Sequence, residues 1–521
     1  MNIIIVGIGN IGFEVAKQIN TENNKILLIA RSMPEYASDF INTNSNVFFA
    51  KGDATKISDM ESIRDSLASK GFGSVDFLII TPGLANNSTF LDDPEGFRQC
   101  FEFNYYCYVI PIQIFIGLIS PEERGGLILL SATSGHHADT RLSGYPASKW
   151  SLENLFSSLR EEVRDRNISV DVLAVRTIKN KYSKVWTQNY GESPEQIAKY
   201  LYNLVVNPKN KRHFIPSYFL YIRLIERLLP KLLDFKHNLR NASKRRKYFR
   251  NIVCDNVLIT GAASGLGKAL ALTYAKTARQ LYLCDINIEG LNSLKEDIKK
   301  QNSCLIDVFK VDVQNMEAIT TFICNLNRVD LLINNVGVRF QGKVENTPMK
   351  DYKKNLDINL FSHLQFIYEL FRRDIPPKKV INILSTTAIR GRNLHGLYSS
   401  AKAAMWNCTR SLRRANGSTY QIMEVIPSGM SDTKLVENSI VSSTYENVNS
   451  VCVHSKRRNF NLQSKIKFLK ITKWSALDAA KIIQKYERKG KEILYIPPVQ
   501  TKLFLTLETL SNSLFSFIFR R

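Results

Sequence analysis

Short apolar runs and longer amphipathic stretches alternate along the chain. Apolar, β-branched-rich runs occupy residues 3–6, 25–30, 75–80 and 126–130, and again 257–260, 280–284, 329–333 and 380–384. Between them lie segments with helical spacing of their apolar positions. A run that is apolar on both faces predicts a strand buried on both sides. Strands alternating with helices predict βαβ units on a parallel sheet. The pattern occurs twice, so the fold expected is α/β, with two doubly wound parallel sheets in tandem.

The landmarks repeat in register. Gly7 to Gly83 and Gly261 to Gly337 both span 76 residues, Gly7 to Asn104 spans 97 against 98 for Gly261 to Asn359, and Gly7 to Tyr145 spans 138 against 137 for Gly261 to Tyr398. A repeat of this length marks a duplicated domain and not a solenoid. The boundary is expected in the basic stretch, giving an N-terminal domain at 1–235, a linker at 236–251 and a C-terminal domain at 252–521.

Composition narrows the classes. With 521 residues, 44% hydrophobic and 23% charged, the chain has the make-up of a globular protein and not of a disordered one. Its eight cysteines are scattered without a C-x-x-C pair, so neither a metal cluster nor a disulfide framework is expected, and a reducing, cytoplasmic setting fits best. The start lacks the basic region and cleavage site of a secretory signal. The apolar stretch at 501–519 is interrupted by Lys502 and Glu508, so no membrane span is expected. The net charge of +24 is concentrated in runs at 236–250 and 454–470. These read either as solvated linker and loop or as contacts to an anionic partner. Lacking interleaved aromatics, they give no expectation of nucleic-acid binding.

The chemistry lies at the turns. Gly7, Gly9 and Gly12, and likewise Gly261, Gly265 and Gly267, stand between the first strand and first helix of each half. Such a turn lets backbone approach a pyrophosphate at the positive end of a helix. At the end of the second strand Asp285 would accept hydrogen bonds from ribose hydroxyls and repel a 2′-phosphate, favouring NAD, whereas Arg31 in the first half favours NADP. Each half also carries Tyr-x-x-x-Lys, Tyr145 with Lys149 and Tyr398 with Lys402, which places both side chains on one helix face. A neighbouring ammonium is expected to lower the phenol's pKa toward the working range.

These residues resemble the short-chain dehydrogenase/reductase family, as two fused copies with Rossmann-like domains. The second half carries the whole pattern: the turn from Thr260 and Gly261 through Ser264, Gly265, Leu266 and Gly267, Asp312 with Val313 at the adenine, Asn335 and Gly337 in the segment beside the cofactor, and Pro427, Gly429 and Thr433 near the nicotinamide. The resemblance implies a tetrad of Asn359, Ser385, Tyr398 and Lys402. Tyr398 would transfer the proton, Lys402 would tune it and hold the nicotinamide ribose, Ser385 would polarise the carbonyl, and Asn359 would order a water relay.

The first half departs from this pattern. Asn104, Tyr145, Lys149 and Asp53 remain, but the glycine turn is one residue shorter, Thr81-Pro-Gly83 replaces Asn-Asn-x-Gly, and Val175-Arg-Thr replaces the Pro-Gly segment. Counting back 13 from Tyr145 reaches Ala132, which cannot donate to a carbonyl; Ser134 would have to point differently to deputise.

The resulting expectation is an NAD(P)-dependent oxidoreductase interconverting a secondary alcohol and a ketone. Its chemistry is mainly in the second half, and the first half is a nucleotide-binding partner that pairs with it as a pseudo-dimer. Two alternatives stay open: a two-step epimerase in which one half oxidises and the other re-reduces the same carbon, and a first half that is purely a scaffold. The substrate is a small carbonyl or alcohol. The long loop at 427–474, with Tyr445, His454, Lys456, Arg457 and Arg458, leans toward an anionic one. The stretches at 218–233 and 503–519 are amphipathic, and read as packed helices or as peripheral membrane contacts.

Overall fold

The computed structural model describes residues 1–86, 89–120, 125–135, 144–176, 178, 191–217, 248–250, 252–415, 419–430, 433, 435, 439–441, 474–498 and 501. The expected linker, the basic runs, the long loop and the two amphipathic ends fall almost wholly outside these residues. Chain contacts divide the protein into two units. The first is Met1–Leu220 with Gly342–Thr347 and Gly391–Gly396; the second is the remainder.

In the first unit, strands β1 (Asn2–Val6), β2 (Lys25–Ala30), β3 (Val47–Lys51), β4 (Phe77–Ile80), β5 (Gly125–Ala132), β6 (Ile168–Val175) and β7 (Arg212–Ile215) form one sheet in the order β3-β2-β1-β4-β5-β6-β7. All of its pairings are parallel, from Ile3 opposite Ile26 to Val175 opposite Ile215. Helices α1 (Asn10–Ile19), α2 (Glu35–Thr43), α3 (Ile57–Asp65), α4 (Pro94–Phe115), α5 (Gly144–Glu162) and α6 (Pro194–Val206) connect the strands. Capping fixes where helices begin. Asp93 accepts from the Gly96 N–H at the start of α4, and Ser193 and Gln196 form a reciprocal box at the start of α6.

The second unit repeats this plan with β8 (Asn256–Thr260), β9 (Gln280–Asp285), β10 (Leu305–Lys310), β11 (Leu331–Asn334), β13 (Lys379–Ile383), β14 (Gln421–Pro427) and β16 (Ile493–Ile496), in the order β10-β9-β8-β11-β13-β14-β16. The two-residue strands β12 (Phe340–Gln341) and β15 (Ile440–Val441) pair separately. Its helices are α7 (Gly265–Tyr274), α8 (Ile288–Lys299), α9 (Met316–Cys324), α10 (Met349–Leu356), α11 (Ser362–Arg372), α12 (Gly396–Ala415) and α13 (Ala476–Arg488).

The apolar runs read from the sequence are the strands at the centre of each sheet. Ile3, Ile5, Leu28 and Ile79 in one unit, and Val257, Ile259, Leu283 and Ile333 in the other, are fully buried against the flanking helices. In both sheets the strand order reverses at the first strand, between β1 and β4 and between β8 and β11. A doubly wound sheet opens a crevice at this point, beyond the carboxyl ends of its strands.

One helix differs between the units. In the first, α4 runs unbroken through Asn104 for 22 residues. In the second, the matching helix widens between α10 and α11 into a π-turn, Asp357–Phe361, where the Ser362 N–H reaches back to the Asp357 carbonyl. The turn accommodates the extra residue between Gly337 and Asn359, 22 apart, against 21 from Gly83 to Asn104. A π-turn inside a helix often marks a functional position, and Asn359 is at its centre.

Candidate active sites

The second unit's crevice is built around its glycine turn. Gly261 has φ +65°, and a Cβ on Gly267 would lie 1.9 Å from the Gly261 carbonyl oxygen, so backbone crosses backbone where no side chain fits. Thr260 and Asn335 lock this turn to β11. The Thr260 Oγ1 accepts from the Asn335 and Val336 N–H groups at 3.0 and 3.1 Å, and the Asn335 Nδ2 donates to the Thr260 and Gly261 carbonyls at 3.0 Å each. Asp285 closes the side of the crevice, its carboxylate accepting from the Ala263 and Asn287 N–H groups at 3.0 Å each. Asp312 accepts from the Gln314 N–H at 3.0 Å, with Val313 buried beside it. Thr433 comes to 3.6 Å from where a Cβ of Gly265 would lie, so the chain beyond Pro427 and Gly429 returns to the turn.

The four residues assigned to a tetrad are brought together on this side. Asn359 donates to the Val338 carbonyl at 2.9 Å and to the Asn355 side chain at 3.0 Å, and accepts from the Val338 N–H at 3.3 Å. Gly337 is wedged between it and Lys402: a Cβ there would lie 3.1 Å from Asn359 Oδ1 and 3.3 Å from Lys402 Nζ. Lys402 donates to the Ile383 carbonyl at 3.2 Å. Ser385 pulls the pKa of the Tyr398 phenol downward, and its Oγ accepts from the Thr387 N–H at 3.2 Å and the Thr387 hydroxyl at 3.0 Å. Burial pushes Tyr398 up to about 12, with Ser385 and Arg339 pulling the other way, and pushes Lys402 down to about 7. From the sequence alone only the ammonium's pull on the phenol is visible. In the structure desolvation is the larger cause and moves the phenol the opposite way.

In the first unit a cavity of about 750 Å³ runs from the turn at Gly7, Gly9 and Gly12, past Arg31 and Asp53, to Gly83, Tyr145 and Lys149. Gly7 has φ +87°, and a Cβ on Gly12 would lie 1.9 Å from the Gly7 carbonyl oxygen, the same crossing as in the second unit. Thr81 does the work of Asn335, its hydroxyl donating to the Gly7 carbonyl at 2.7 Å. Arg31 is exposed on the cavity wall, its guanidinium 5.6 Å from the Phe103 ring centroid. Burial pushes the Asp53 carboxyl up, but the Thr55 N–H and hydroxyl together with Arg31 and Lys56 outweigh it, and the net direction is down.

Asn104 holds the Leu84 carbonyl at 2.6 Å and the Leu84 N–H at 2.8 Å, as Asn359 holds Val338. Lys149 donates to the Pro82 carbonyl and the Tyr108 hydroxyl at 3.2 Å each and approaches the Leu130 carbonyl at 3.5 Å. Burial pushes Tyr145 up to about 12 and Lys149 down to about 8.

The lysine seats fix the register between the halves. Leu130 and Ile383 both offer their carbonyls to the lysine, and a 3₁₀ turn follows in each, Thr133–Gly135 and Thr386–Ala388. Ala132 therefore stands at the Ser385 position. Ser131 is turned away, its hydroxyl donating to the buried Glu153 at 2.8 Å.

Two residues escaped the sequence reading. Tyr108 and His363 each lie four residues beyond the helical Asn, and each donates to the carbonyl just before the glycine, Pro82 at 3.0 Å and Val336 at 2.8 Å. That spacing of one helical turn was available as a signal.

The family profile of the short chain dehydrogenases matches residues 1–191 and 255–442. The chain belongs to this family. An uncharacterized oxidoreductase of Thermotoga maritima is 29% identical over 161 residues, covering 30% of this chain and 63% of that protein. The 7alpha-hydroxysteroid dehydrogenase of Escherichia coli K12 is 28% identical over 163 residues, covering 30% of this chain and 62% of that enzyme. The matched stretch thus spans less than two thirds of the length of these relatives. Among solved structures, the N-domain of a bacterial malonyl-CoA reductase with NADP is similar at TM-score 0.62 and 11% identity, covering 84% of this chain and 93% of that one. At that identity the likeness speaks for the fold alone. Among the described residues no group of His, Cys, Asp or Glu could hold a metal ion, and no helix is long and apolar enough to cross a membrane.

Proposed function

We propose that this chain is a nicotinamide-dependent oxidoreductase that interconverts a secondary alcohol and a ketone, with the principal chemistry in the second half and the first half as a nucleotide-binding partner domain. The observation that carries the reading is the gathering of the four residues: Ser385 is held by Thr387 and acts on the Tyr398 phenol, and Asn359 and Lys402 flank Gly337. It supplies two hydroxyl donors that can meet on one carbonyl oxygen.

The crevice fits a dinucleotide. Gly261 and Gly267 let backbone cross backbone in a tight turn that no Cβ would permit, and Asp285 stands at the end of the second strand. Thr260 to Gly267 would hold the pyrophosphate, Asp285 the adenosine ribose, Asp312 and Val313 the adenine, and Asn335, Pro427, Gly429 and Thr433 the nicotinamide side. The dinucleotide supplies or accepts the hydride. Ser385 polarises the carbonyl oxygen, Tyr398 gives it a proton or takes one from the alcohol, and Lys402 favours the phenolate once both are in place. We assign NAD to the second half from Asp285 and NADP to the first from Arg31, which lies on the cavity wall with Gly7, Gly9, Gly12 and Asp53. Pairing of the two halves in place of a homodimer rests on the family resemblance and belongs to the same proposal.

The test is titration of the full chain with NADH and NADPH, followed by a ketone screen on wild type and Tyr398→Phe. Loss of turnover with binding retained supports the reading; a Phe variant as active as wild type overturns it. The two-step epimerase is a second reading, favoured by the state of Ser134 described next.

A further inference from the structure

We propose that Ser134 donates the hydrogen bond that polarises a substrate carbonyl in the first half, so that this half is a carbonyl-reducing site in its own right, one turn of chain away from where the second half keeps its donor. The inference rests on the reading that the first half holds a nicotinamide dinucleotide.

The register set by the two lysine seats puts Ser134 at the position of Thr387. In the second half the Thr387 hydroxyl is 3.0 Å from Ser385 Oγ, so a hydroxyl at this place lies one hydrogen bond from the carbonyl donor. In the first half the donor position holds the methyl group of Ala132, and the hydroxyl of Ser134 has lost the partner that its counterpart bonds. Ser134 Oγ is buried and has no hydrogen-bond partner among the described residues. Buried hydroxyls are rarely left so, and Ser134 differs from the others without a partner, such as Ser151 and Ser411, in lining the cavity, where a ligand can supply the acceptor.

Among the described residues of this segment, its neighbours leave it as the single candidate. Ser131 is bonded to Glu153, and Thr133 does not line the cavity, whereas Ala132 and Ser134 do, together with Gly83, Tyr145 and Lys149. Tyr145 and Lys149 flank Gly83, 3.8 and 3.7 Å from where its Cβ would lie. Lys149 is held by the Pro82 carbonyl and the Tyr108 hydroxyl.

The step balances with a reduced nicotinamide dinucleotide as co-reactant. The carbonyl carbon takes a hydride from it, and the C=O π pair moves to oxygen. The oxygen, held by the Ser134 hydroxyl, takes the Tyr145 proton, leaving an alcohol, the oxidised dinucleotide and a Tyr145 phenolate that regains its proton from solvent. Run in reverse, the same residues oxidise an alcohol.

The experiment uses the full chain carrying Tyr398→Phe and Ser385→Ala, so that the second half neither turns over nor polarises a carbonyl, with NADPH and phenanthrenequinone as the probe. Three quantities are read: NADPH affinity by fluorescence, the carbonyl stretch of the quinone bound with NADP⁺ by infrared difference spectroscopy, and NADPH-dependent reduction. Adding Ser134→Ala is expected to lower kcat/KM about a hundredfold, to abolish the downshift of the carbonyl stretch, and to leave NADPH affinity within about twofold. Adding Ala132→Ser to that variant is expected to restore the downshift and part of the rate. A Ser134→Ala variant with rate and stretch unchanged overturns the proposal, as does a chain carrying only Tyr398→Phe and Ser385→Ala that binds NADPH in the first half yet neither shifts nor reduces the quinone. Arg31→Ala marks the first half's share of NADPH binding. If Arg31→Ala leaves the titration unchanged, the first half does not hold the dinucleotide, and the nucleotide-binding reading falls ahead of this one.

Discussion

The two halves hold the same backbone atoms with different side chains. The carbonyl of the first turn glycine is bonded by Thr81 in one and by Asn335 in the other, and the carbonyl before Gly83 or Gly337 by Tyr108 or by His363. A contact to a backbone carbonyl needs only a donor of the right reach, so hydroxyl, amide, phenol and imidazole exchange freely. The donor to a substrate has less freedom, because its hydroxyl must reach the atom that the tyrosine and lysine serve, whether from the Ser385 position or, as proposed for the first half, from Ser134 two residues on. At the Ser385 position itself the halves differ by a whole hydroxyl, Ser385 against Ala132.

The sharpest way to break this comparison is Tyr398→Phe. It is expected to cut the principal turnover by at least about a thousandfold, since proton transfer and its orientation are lost together, while NADH and NADPH affinities stay within about twofold. Steady-state rates and fluorescence titration check both. Ser385→Ala comes next, with kcat down by roughly 10²-fold, the effect of removing one donor to a developing oxyanion. Thr387→Ala should cost only several-fold, because it acts through Ser385; a drop as large as that of Ser385→Ala would make Thr387 a direct donor and blur the distinction between the halves.

The third prediction concerns pH. Burial lowers Lys402 from 10.5 to about 7 in the folded chain. Between these values the unfolded chain binds the extra proton, so this lysine's contribution to stability rises with pH from about 7 toward 10.5 and is flat below. The counterpart window for Lys149 opens at about 8. Denaturation midpoints measured across this range should show a shallower slope in Lys402→Met than in wild type. An equal slope would mean that the lysine is solvated in the folded chain. The smallest expected effect is that of Asp285→Ala, which should shift the NADH to NADPH preference of the second half by roughly tenfold, about 1.4 kcal/mol. An unchanged ratio would remove the assigned cofactor difference between the halves.

Much of this was legible in the sequence, for physical reasons. Strands such as β1 and β8 are buried on both faces, so their apolar runs stand out from the helices around them. The turn glycines are fixed by a 1.9 Å crossing that no Cβ survives, and their spacing therefore persists in both halves. Tyr108 and His363 were missed because their partners are main-chain carbonyls, which leave no mark on the partner's residue type. The pKa direction at Tyr398 was missed because charge is visible in a sequence and desolvation is not.

The π-turn at Asp357–Phe361 has a consequence for chain length. In an uninterrupted α-helix one added residue swings everything beyond it through about 100° around the axis. Here the surplus residue is taken up as a local blister, so the rotation is cancelled within a turn. His363 still faces the Val336 carbonyl as Tyr108 faces that of Pro82, although the two helices differ in count by one. An insertion or deletion at this place changes the pitch of a single coil and leaves the sheet-facing surface on both sides of it undisturbed. The two copies could therefore drift in length through the middle of a buried helix without any loop having to absorb the change.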